Sequence, residues 1–269
     1  METNNFKQKL IEAFEINGLG NVLTDESAEK LYQFSRKLIE ANSRFNLTAI
    51  KDDEGIILKH FTDCATVLGH IPLNSTLVDV GCGAGFPSIP IAILRKDVQV
   101  TSLDSTSKKI DFINQTASKI GLSNINGVNG RAEDFAKDNR GKFDVAISRA
   151  VARLNILDEL CIPLLRIGGK FIAMKSSKGE EEFAEAKSGI EKLGAALESK
   201  SSISLNYAGE SIEREIFVFS KQKVTPAPYP RNYSQISKKP LKIQQKPRAK
   251  PHRVFVSRET MWVLFKYLK

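Results

Sequence analysis

Residues 77–90 read LVDVGCGAGFPSIP and place three glycines, Gly81, Gly83 and Gly85, directly after a short apolar run. A glycine-rich turn between a strand and a helix lets a ligand approach the backbone closely, and it points the free N–H groups of the helix at that ligand. We therefore expect this stretch to bind a nucleotide-like cofactor, with Gly81 and Gly83 among the contacting residues.

The turn departs from the G-x-G-x-x-G fingerprint of dinucleotide-binding proteins, because Phe86 stands where that pattern has its third glycine. A bulky ring at this position disfavours a pyrophosphate lying across the turn. The next predicted strand, VQVTSLD, ends in Asp104, 23 positions after Gly81. A carboxylate at that place accepts hydrogen bonds from both hydroxyls of a ribose, so the predicted cofactor contains a ribose.

From residue 76 the sequence alternates between strand-like and helix-like segments, which predicts a parallel sheet with helices on both faces. Two further β-rich runs, SSISLNYAG and EREIFVFSKQK, are joined by a short polar link that permits an antiparallel hairpin but not a parallel crossover. The predicted fold class is therefore α/β, a Rossmann-like, mostly parallel seven-stranded sheet with a reversed terminal strand. The predicted strands are 76–80, 98–103, 125–129, 143–148 and 170–175, and the predicted helices are about 87–95, 107–120, 154–166 and 179–196.

The N-terminal part reads as a helical cap. TDESAEKLYQFSRKLIEANSRF carries apolar residues at helical spacing behind an N-cap at Thr24 or Asp25. A second helix is predicted from about 54 to 68, where His60 and Asp63 are spaced to form a local hydrogen-bonded pair that braces the cap on the site. The predicted domains are the helical cap at 1–72, a Rossmann-like domain at 73–220, and a basic, proline-rich arm with its extension at 221–269.

The net charge of +9 is concentrated near the C-terminus. Residues 221–269 contain 13 Lys or Arg and one acidic residue, Glu259, so the preceding 220 residues carry about −3 by subtraction. Six of the ten prolines also lie in this segment. The composition predicts a solvated, extended arm over 221–253 that suits a polyanion, or alternatively a disordered solubilising tail.

Composition excludes several other classes of protein. The longest apolar stretches, such as IPIAIL, are well short of the roughly 20 residues that a membrane helix needs, and METNNFKQKL lacks the apolar core of a signal peptide. We expect a cytoplasmic protein without a membrane partner, and a monomer, since no extra apolar stripe calls for a second subunit. The three cysteines and three histidines are scattered, so neither a disulfide framework nor a metal site is predicted.

A third site segment, GRAEDF at 130–135, follows the third predicted strand and places Ala132 and Glu133 where they can face an adenine. The glycine turn, Asp104 and this segment thus close three successive strands. Their order, together with the reversed terminal hairpin, is similar to that of the class I, Rossmann-like methyltransferases that depend on S-adenosylmethionine. The resemblance implies S-adenosylmethionine as the cofactor.

Eight segments carry a closer resemblance: FNLTAI, HFTDC, VDVGCGAGFPSIP, LDSTSKKIDF, GRAEDF, FDVAISRAVARL, FIAMK and YPR. They are similar, in the right order and across nearly all of residues 20–241, to the RsmG family, also called GidB. The resemblance implies methylation of guanine N7 in a decoding-region loop of 16S ribosomal RNA, with the small ribosomal subunit as partner. Besides Asp104 on the ribose, it implies cofactor contacts at Gly81, Phe86, Ala132, Glu133 and Arg149.

Two stretches depart from this family. Its tail often continues after YPR with Gly and Pro before KKPL, whereas this chain reads NYSQISKKPL. Residues 242–269 extend past the usual end of the family. Within them, RVFVSRETMWVLFKYLK is compatible with a short amphipathic helix and equally with disorder.

The end of the fourth predicted strand, SRAVAR, narrows the choice of acceptor. Methylation of an exocyclic amine usually comes with D/N-P-P-aromatic at this place, and methylation of cytosine C5 needs a nucleophilic cysteine, but the strand end has neither. Cys161 lies in the helical stripe LDELCIPLL and is interpreted as a buried structural thiol. Guanine N7 has a free lone pair and no proton, so it needs neither a general base nor a covalent nucleophile.

Arg149 and Arg153 leave the carboxyl end of the fourth predicted strand, the edge where open α/β sheets bind ligands. We predict Arg149 as the catalytic residue, and an arginine that reads the base would hold O6 or a phosphate, since a bond to N7 would block attack. Arg153, Lys175 and Arg231 are predicted to contact RNA. The alternatives are a salt bridge from Arg149 to Glu133 or Asp134, a solvated face for Arg153, and mobile surface charges for Lys175 and Arg231.

Other functions remain compatible with the sequence. The chain could bind the cofactor without catalysis and act as an assembly factor for RNA or ribosomes, or it could methylate another RNA. A nucleotide-dependent oxidoreductase on the same fold is disfavoured by Phe86 and by the reversed terminal hairpin.

Overall fold

The computed structural model describes residues 2–149 and 151–241 of the protein. Strands and helices alternate from Thr76 onward, as the sequence predicts. The strands are β1 Thr76–Val80, β2 Gln99–Asp104, β3 Ile125–Asn129, β4 Phe143–Arg149, β5 Leu165–Lys175, β6 Ala195–Tyr207 and β7 Glu210–Lys221. The α-helices are α1 Glu2–Ile16, α2 Asp25–Asn42, α3 Asp53–Ile56, α4 Asp63–Ala65, α5 Ser88–Leu94, α6 Ser107–Lys119, α7 Ala132–Asn139, α8 Leu154–Cys161, α9 Gly179–Lys192 and α10 Tyr233–Lys238.

The seven strands form one sheet in the order β3-β2-β1-β4-β5-β7-β6. Strands β1 to β5 pair in parallel, whereas β7 is antiparallel to both β5 and β6. Ala208 and Gly209 join β6 to β7 with φ angles of 50° and 78°, the conformation of a tight two-residue hairpin. The predicted fold class, an α/β, mostly parallel sheet with one reversed strand, is confirmed.

Helices cover both faces of the sheet, because the side chains of each strand alternate between the faces. On one face, Leu77 of β1 and Val145 of β4 share a core with Phe34 of α2. On the other face, Val78 and Ala146 share a core with α8 and α9. The carboxyl ends of the parallel strands lie between these two layers, at the edge where the predicted site residues meet.

Helix α2 begins where the sequence predicts. Thr24 Oγ1 accepts the Ser27 N–H at 3.2 Å and Ser27 Oγ accepts the Thr24 N–H at 2.8 Å, which together form a capping box. Behind this cap, the side chains of Ala28, Leu31, Phe34 and Leu38 are buried along one stripe. The predicted N-cap and the predicted apolar stripe are both confirmed.

The helix predicted over 54–68 is correct in position but not in form. Helices α3 and α4 flank a π-helical segment, Ile57–Thr62, whose hydrogen bonds run from residue i to i+5. The wider turn changes the direction of successive side chains, so that spacing along a regular helix no longer decides which of them meet. The predicted hydrogen bond between His60 and Asp63 is wrong for this reason, and both side chains contact Arg149 instead.

The arm that was predicted to be extended and solvated is packed against the body as far as Leu241. The buried ammonium group of Lys221 donates to the Ile162 and Leu193 carbonyls at 3.2 and 2.9 Å. Helix α10 buries Ile236 completely. The prediction of an extended segment is therefore wrong over 221–241, because local composition does not show the partners that the rest of the chain supplies.

The predicted C-terminal helix and the predicted division into domains stay predictions. The amphipathic helix considered for RVFVSRETMWVLFKYLK, like all of residues 242–269, lies outside the described residues. The division into domains at 1–72, 73–220 and 221–269 also stays a prediction, and α1 and α2 share a core with the sheet. None of the helices in the described part of the chain is long and apolar enough to cross a bilayer.

The two outer strands, β3 and β6, each carry an irregularity at the free edge of the sheet. Asn114 of α6 lies beside β3, where its amide accepts the Gly127 N–H at 2.8 Å and donates to the Gly127 carbonyl at 3.3 Å. In β6, the register against β7 shifts between Leu197 and Ser199, which marks a β-bulge. The backbone of both edges is thus locally occupied or displaced.

Candidate active site

The glycine turn between β1 and α5 follows a backbone path that favours glycine. Gly81, Gly83 and Gly85 have φ angles of 77°, 57° and 93°. Residues that carry a side chain rarely adopt positive φ angles of this kind. A Cβ atom on Gly81 would lie only 2.5 Å from Cγ2 of Val151, in the loop that follows β4. Gly81 is therefore required for two reasons: its positive φ angle, and the lack of room for a Cβ atom beside the Val151 side chain.

Asp104 closes β2 beside this turn, and backbone groups hold its carboxylate. Oδ2 accepts the Gly83 N–H at 3.1 Å and Oδ1 accepts the Thr106 N–H at 2.9 Å. The ammonium nitrogen of Lys109 lies 3.5 Å from Oδ2. Each carboxylate oxygen can accept more than one hydrogen bond, so this fixed carboxylate keeps capacity for the hydroxyl groups of a ligand.

A cavity of about 230 Å³, named the cofactor cleft below, opens beside the glycine turn. Its lining includes four of the predicted cofactor residues, Gly81, Asp104, Ala132 and Glu133. The turns that follow β1, β2 and β3 supply them in order, as expected where parallel strands end at one edge. The lining also includes residues that the sequence did not single out, namely Leu103, Lys109, Arg131, Val151, Leu160 and Tyr233.

Arg149, at the end of β4, is the centre of a polar cluster. Its Nη1 donates to Asp63 Oδ2 at 2.8 Å and to the Lys59 carbonyl at 3.0 Å, and its Nη2 lies 3.1 Å from His60 Nδ1. On the other side of Asp63, Arg214 of β7 donates from Nε to Oδ1 at 3.0 Å. We call Arg149, Asp63, His60 and Arg214 the arginine cluster. One buried carboxylate thus holds two guanidinium groups in fixed positions.

Phe86 supports this cluster from below. Its ring is stacked on the His60 ring with 4.1 Å between centroids, and the guanidinium carbon of Arg149 lies 5.1 Å from the ring centre. A guanidinium group is attracted to the face of an aromatic ring. Phe86 is buried and is not part of the lining of the cofactor cleft, so its role as a cofactor contact stays a prediction.

His60 is neutral in this environment. Burial, together with the positive charge of Arg149, lowers the pKa of His60 to about 3. Because a guanidinium group only donates, Nδ1 is the acceptor, and the proton resides on Nε2, 3.0 Å from Thr48 Oγ1. Both ring nitrogens are engaged, so His60 orients Arg149 and is a poor general base.

Asp79 of β1 is a buried carboxyl group beneath the glycine turn. Its Oδ2 accepts the Ser88 N–H at 3.1 Å, while its Oδ1 has no hydrogen-bond partner among the residues that the structure describes. Burial raises the pKa of Asp79 to about 8. The Asp79 carboxyl group is therefore mostly protonated at neutral pH.

A second cavity, of about 580 Å³, lies at the same edge of the sheet. We name it the basic cavity, because its lining includes Lys59, Arg149, Arg153, Lys175 and Arg214, with Asp63 and Glu182 as the acidic residues. Val151 belongs to the lining of both cavities, so they adjoin at this side chain. Two adjoining cavities can hold a cofactor and an acceptor next to each other.

The structure shows the ion-pair partner of Arg149, while its predicted catalytic role stays a prediction. Its carboxylate partner is Asp63, so the alternative of a salt bridge to Glu133 or Asp134 is wrong. Arg153 pairs with Glu185 at 2.9 Å while its side chain stays 53% exposed. This guanidinium group is accessible at the mouth of the basic cavity, and its contact with RNA stays a prediction.

Lys175 and Arg231 are less accessible than predicted for contacts with RNA. Lys175 lines the basic cavity, but its Nζ lies 2.8 Å from the Glu182 carboxylate and donates to the Ala152 carbonyl at 2.6 Å. Arg231 lies apart from that cavity and holds both oxygens of Glu159. The alternative of mobile surface charges does not describe either residue, and their contact with RNA stays a prediction.

Arg214 and Tyr233 are among the residues at this edge that sequence analysis missed. A signal for Arg214 was present, because a reversed strand begins at the edge where its parallel neighbours end, and Lys175 is paired with Glu215, one residue after Arg214. Tyr233 belongs to the arm that was predicted to be solvated. Its local sequence carries no signal for a place in the cofactor cleft.

Comparison with known proteins identifies relatives over most of the chain. The sequence is 43% identical to ribosomal RNA small subunit methyltransferase G of Staphylococcus carnosus, over 81% of this chain and 92% of that protein. It is 40% identical to the protein of the same name from Clostridium perfringens, over 84% and 95%. Among solved structures, M. jannaschii TYW2 in complex with AdoMet matches 59% of this chain and 74% of that chain, with 17% identity and a TM-score of 0.48.

The family model described as GidB, rRNA small subunit methyltransferase G, matches residues 27–212. That range contains the glycine turn, Asp104, the GRAEDF segment and the whole arginine cluster except Arg214. The resemblance predicted from the eight segments is confirmed, and with it the assignment of an S-adenosylmethionine-dependent methyltransferase. The chain belongs to the GidB family of methyltransferases.

Proposed function

We propose that the protein transfers a methyl group from S-adenosylmethionine to N7 of a guanine in the decoding-region loop of 16S ribosomal RNA, within the small ribosomal subunit. The observation that carries this proposal is the pair of adjoining cavities, one with the features of a cofactor site and the other lined by basic side chains. The names of the relatives support the choice of ribosomal RNA as the substrate.

The cofactor cleft fits S-adenosylmethionine. Asp104 would accept hydrogen bonds from the ribose, since its carboxylate is fixed by two backbone N–H groups and keeps acceptor capacity. The bare backbone at Gly81 permits close approach, and Ala132 and Glu133 would lie at the adenine end. When bound, the cofactor supplies an electrophilic methyl group on a sulfonium.

The basic cavity suits an acceptor that needs no deprotonation. His60 is neutral with both nitrogens engaged, and the three cysteines are buried. Burial raises the pKa of each thiol, for Cys64 to about 12, so no reactive thiolate is expected. Guanine N7 attacks with a free lone pair, and the protein contributes mainly by positioning it.

The arginine cluster would position the base. Arg149 is held by Asp63, the Lys59 carbonyl and His60, so its guanidinium group keeps one orientation. At the basic cavity it would donate to guanine O6 or to a phosphate, and would leave N7 free for the methyl group. Hydrogen-bond donors that are already in position need little rearrangement during the reaction. We assign a catalytic role to Arg149 for this reason.

The C-terminal extension would add affinity for RNA that is independent of base identity. Residues 242–269 contain eight Lys or Arg and one acidic residue. Contacts of this kind to phosphates weaken steeply with salt. Removal of residues 242–269 retains all of the described arm and is expected to weaken RNA binding without changing affinity for the cofactor.

We also propose that the protein acts in the cytoplasm as a monomer. An enzyme on ribosomal RNA works where ribosomal subunits are assembled. Sedimentation of the full chain at micromolar concentration would check the monomer, and a stable dimer would contradict it.

The direct test is transfer of labelled methyl from S-adenosylmethionine to small ribosomal subunits that lack this modification. Strand scission at 7-methylguanosine then locates the product. We expect scission at one guanine in the decoding-region loop, and its loss in Arg149→Ala. Arg166→Ala is the matched control, because Arg166 is an exposed arginine at the opposite end of β5. Cofactor binding without transfer to subunits or naked RNA would favour the non-catalytic assembly factor.

A further inference from the structure

Tyr233, in the packed part of the C-terminal arm, reaches the cofactor cleft. This residue is part of the lining, together with Ala132 and Glu133. Its backbone N–H donates to Glu133 Oε1 at 3.2 Å, and the guanidinium carbon of Arg131 lies 5.2 Å from its ring centre. The arm is therefore joined to the segment that follows β3 by a hydrogen bond and by a cation–π contact.

A buried carboxylate fixes the position of Tyr233. Glu159 of α8 is fully buried, and its Oε1 accepts both the backbone N–H and Nε–H of Arg231 at 2.8 Å. Its Oε2 accepts from Nη2 of Arg231 at 2.6 Å. Three residues further on from Tyr233, Ile236 is buried in the core beneath α10. The position of Tyr233 is thus fixed by anchored residues before and after it in the chain, Arg231 and Ile236.

The chemistry of this end of the cleft suits a flat aromatic ring. Leu103, Ala132 and Leu160 are apolar residues of the lining, while the carboxylate of Asp104 accepts a hydrogen bond from the glycine turn. A purine can pack on an aromatic side chain whatever its hydrogen-bonding pattern, because every base has a π-face. Tyr233 is the aromatic residue among those that line this cleft.

We propose that Tyr233 contacts the adenine of the bound cofactor, so that cofactor binding and docking of the C-terminal arm stabilise each other. The proposal rests on the proposed function, since it takes an adenosine cofactor in this cleft as given. By linkage, a ligand that binds only the docked arm stabilises the docked state. The basic extension starts directly after this arm, so the bound cofactor would also fix where the extension begins.

The proposal is tested by calorimetric binding of two ligands to the full chain. S-adenosylhomocysteine carries adenosine and the amino-acid part, whereas 5′-methylthioadenosine lacks the amino-acid part. We expect Tyr233→Ala to weaken both ligands by the same factor, about tenfold, and Tyr233→Phe to retain both affinities. Ser234→Ala is the matched control, because Ser234 is an exposed residue of the same helix outside the cleft.

A spectroscopic readout separates adenine contact from a general effect on the arm. In Tyr233→Trp, 5′-methylthioadenosine is expected to change the tryptophan emission beyond the change seen in the wild type, whose tryptophan is Trp262. Hydrogen exchange in 231–241 is expected to slow when the wild type binds the same ligand.

The outcomes distinguish this proposal from the proposed function. If the wild type binds neither ligand, both are overturned. If the wild type binds both ligands and Tyr233→Ala binds them with unchanged affinity, the adenine contact alone is overturned. Weaker binding of S-adenosylhomocysteine with unchanged binding of 5′-methylthioadenosine would also overturn it, because the tyrosine would then act on the amino-acid part.

Discussion

The cofactor cleft and the basic cavity adjoin at one edge of the sheet but are built in different ways. The cleft takes its floor from the backbone of the glycine turn and from Asp104, whose position is fixed by N–H groups of neighbouring turns. The basic cavity takes its shape from charged side chains that lock one another, with Asp63 between Arg149 and Arg214. The first site depends on local backbone geometry, and the second on an assembly of distant residues.

This difference predicts two kinds of sensitivity. A site made of backbone is damaged by added atoms, whereas a site made of paired charges is damaged by the loss of a partner, because the remaining charge is left buried and unpaired. Substitutions in the two cavities should therefore separate cofactor binding from placement of the acceptor.

The largest effect on cofactor affinity is expected for Gly81→Val. The positive φ angle of Gly81 disfavours a β-branched residue, and a Cβ would lie 2.5 Å from Val151 Cγ2. We expect affinity for S-adenosylhomocysteine to fall at least about 100-fold, equivalent to about 3 kcal/mol, in calorimetric titration. Gly69→Ala is the control, since a Cβ there meets no atom within 4 Å. Binding at wild-type affinity by Gly81→Val would contradict a backbone-built cleft.

Asp63→Ala should release the two guanidinium groups that shape the basic cavity and should also lower the stability of the protein. The carboxylate is 2% exposed and holds two guanidinium groups, so its removal is expected to lower the free energy of unfolding by about 3–5 kcal/mol. Urea denaturation measures the stability, and a transfer assay measures activity at a temperature where the variant is folded. Methyl transfer should fall more than affinity for S-adenosylhomocysteine. An equal loss of both would mean that Asp63 serves the two cavities alike.

Asp79→Asn tests the carboxyl group beneath the glycine turn through the pH dependence of protein stability. The folded-state pKa of Asp79 is raised to about 8 from an ordinary value of 3.8, so the folded protein binds the extra proton between these values. Its contribution to stability is therefore fully present below about pH 4 and is lost as pH rises towards 8, by at most about 1.4 kcal/mol per pH unit. The asparagine cannot ionise, so its advantage over the wild type in urea denaturation should grow from pH 5 to pH 8. A constant difference would refute this assignment.

Arg153→Ala should have the smallest effect. Its ion pair with Glu185 is exposed and contributes at most about 1 kcal/mol to stability. If Arg153 contacts a phosphate, the slope of log affinity for RNA against log salt should become less steep by about 1. Affinity for S-adenosylhomocysteine should stay the same. Arg166→Ala controls for the loss of an exposed arginine, and an equal change of slope in both variants would remove the specific role of Arg153.

Sequence patterns were sufficient for the sheet and for most of the cofactor cleft. The predicted strand at 76–80 coincides with β1. Asp104 is the last residue of β2, and Gly81, Ala132 and Glu133 come shortly after strand ends, so their meeting follows from parallel topology alone. The sequence is sufficient to place these residues because the strands next to them in the chain determine their positions.

The arginine cluster and the arm could not be predicted in the same way. His60 lies within the π-helical segment and Asp63 directly follows it, an arrangement that regular helical spacing does not anticipate. The arm looks solvated by composition, but the buried carboxylate of Glu159 holds Arg231, and the buried side chain of Ile236 anchors the helix that follows. Contacts between residues far apart in sequence decide both cases.

The irregular edges of the sheet have a consequence for association. An open edge strand offers a row of free N–H and C=O groups to which another extended chain can be added. At β3, Asn114 already occupies the backbone groups of Gly127, and at β6 the bulge between Leu197 and Ser199 interrupts the even spacing that an incoming strand would need. Addition of a further strand is thus disfavoured at these two positions of the sheet edges.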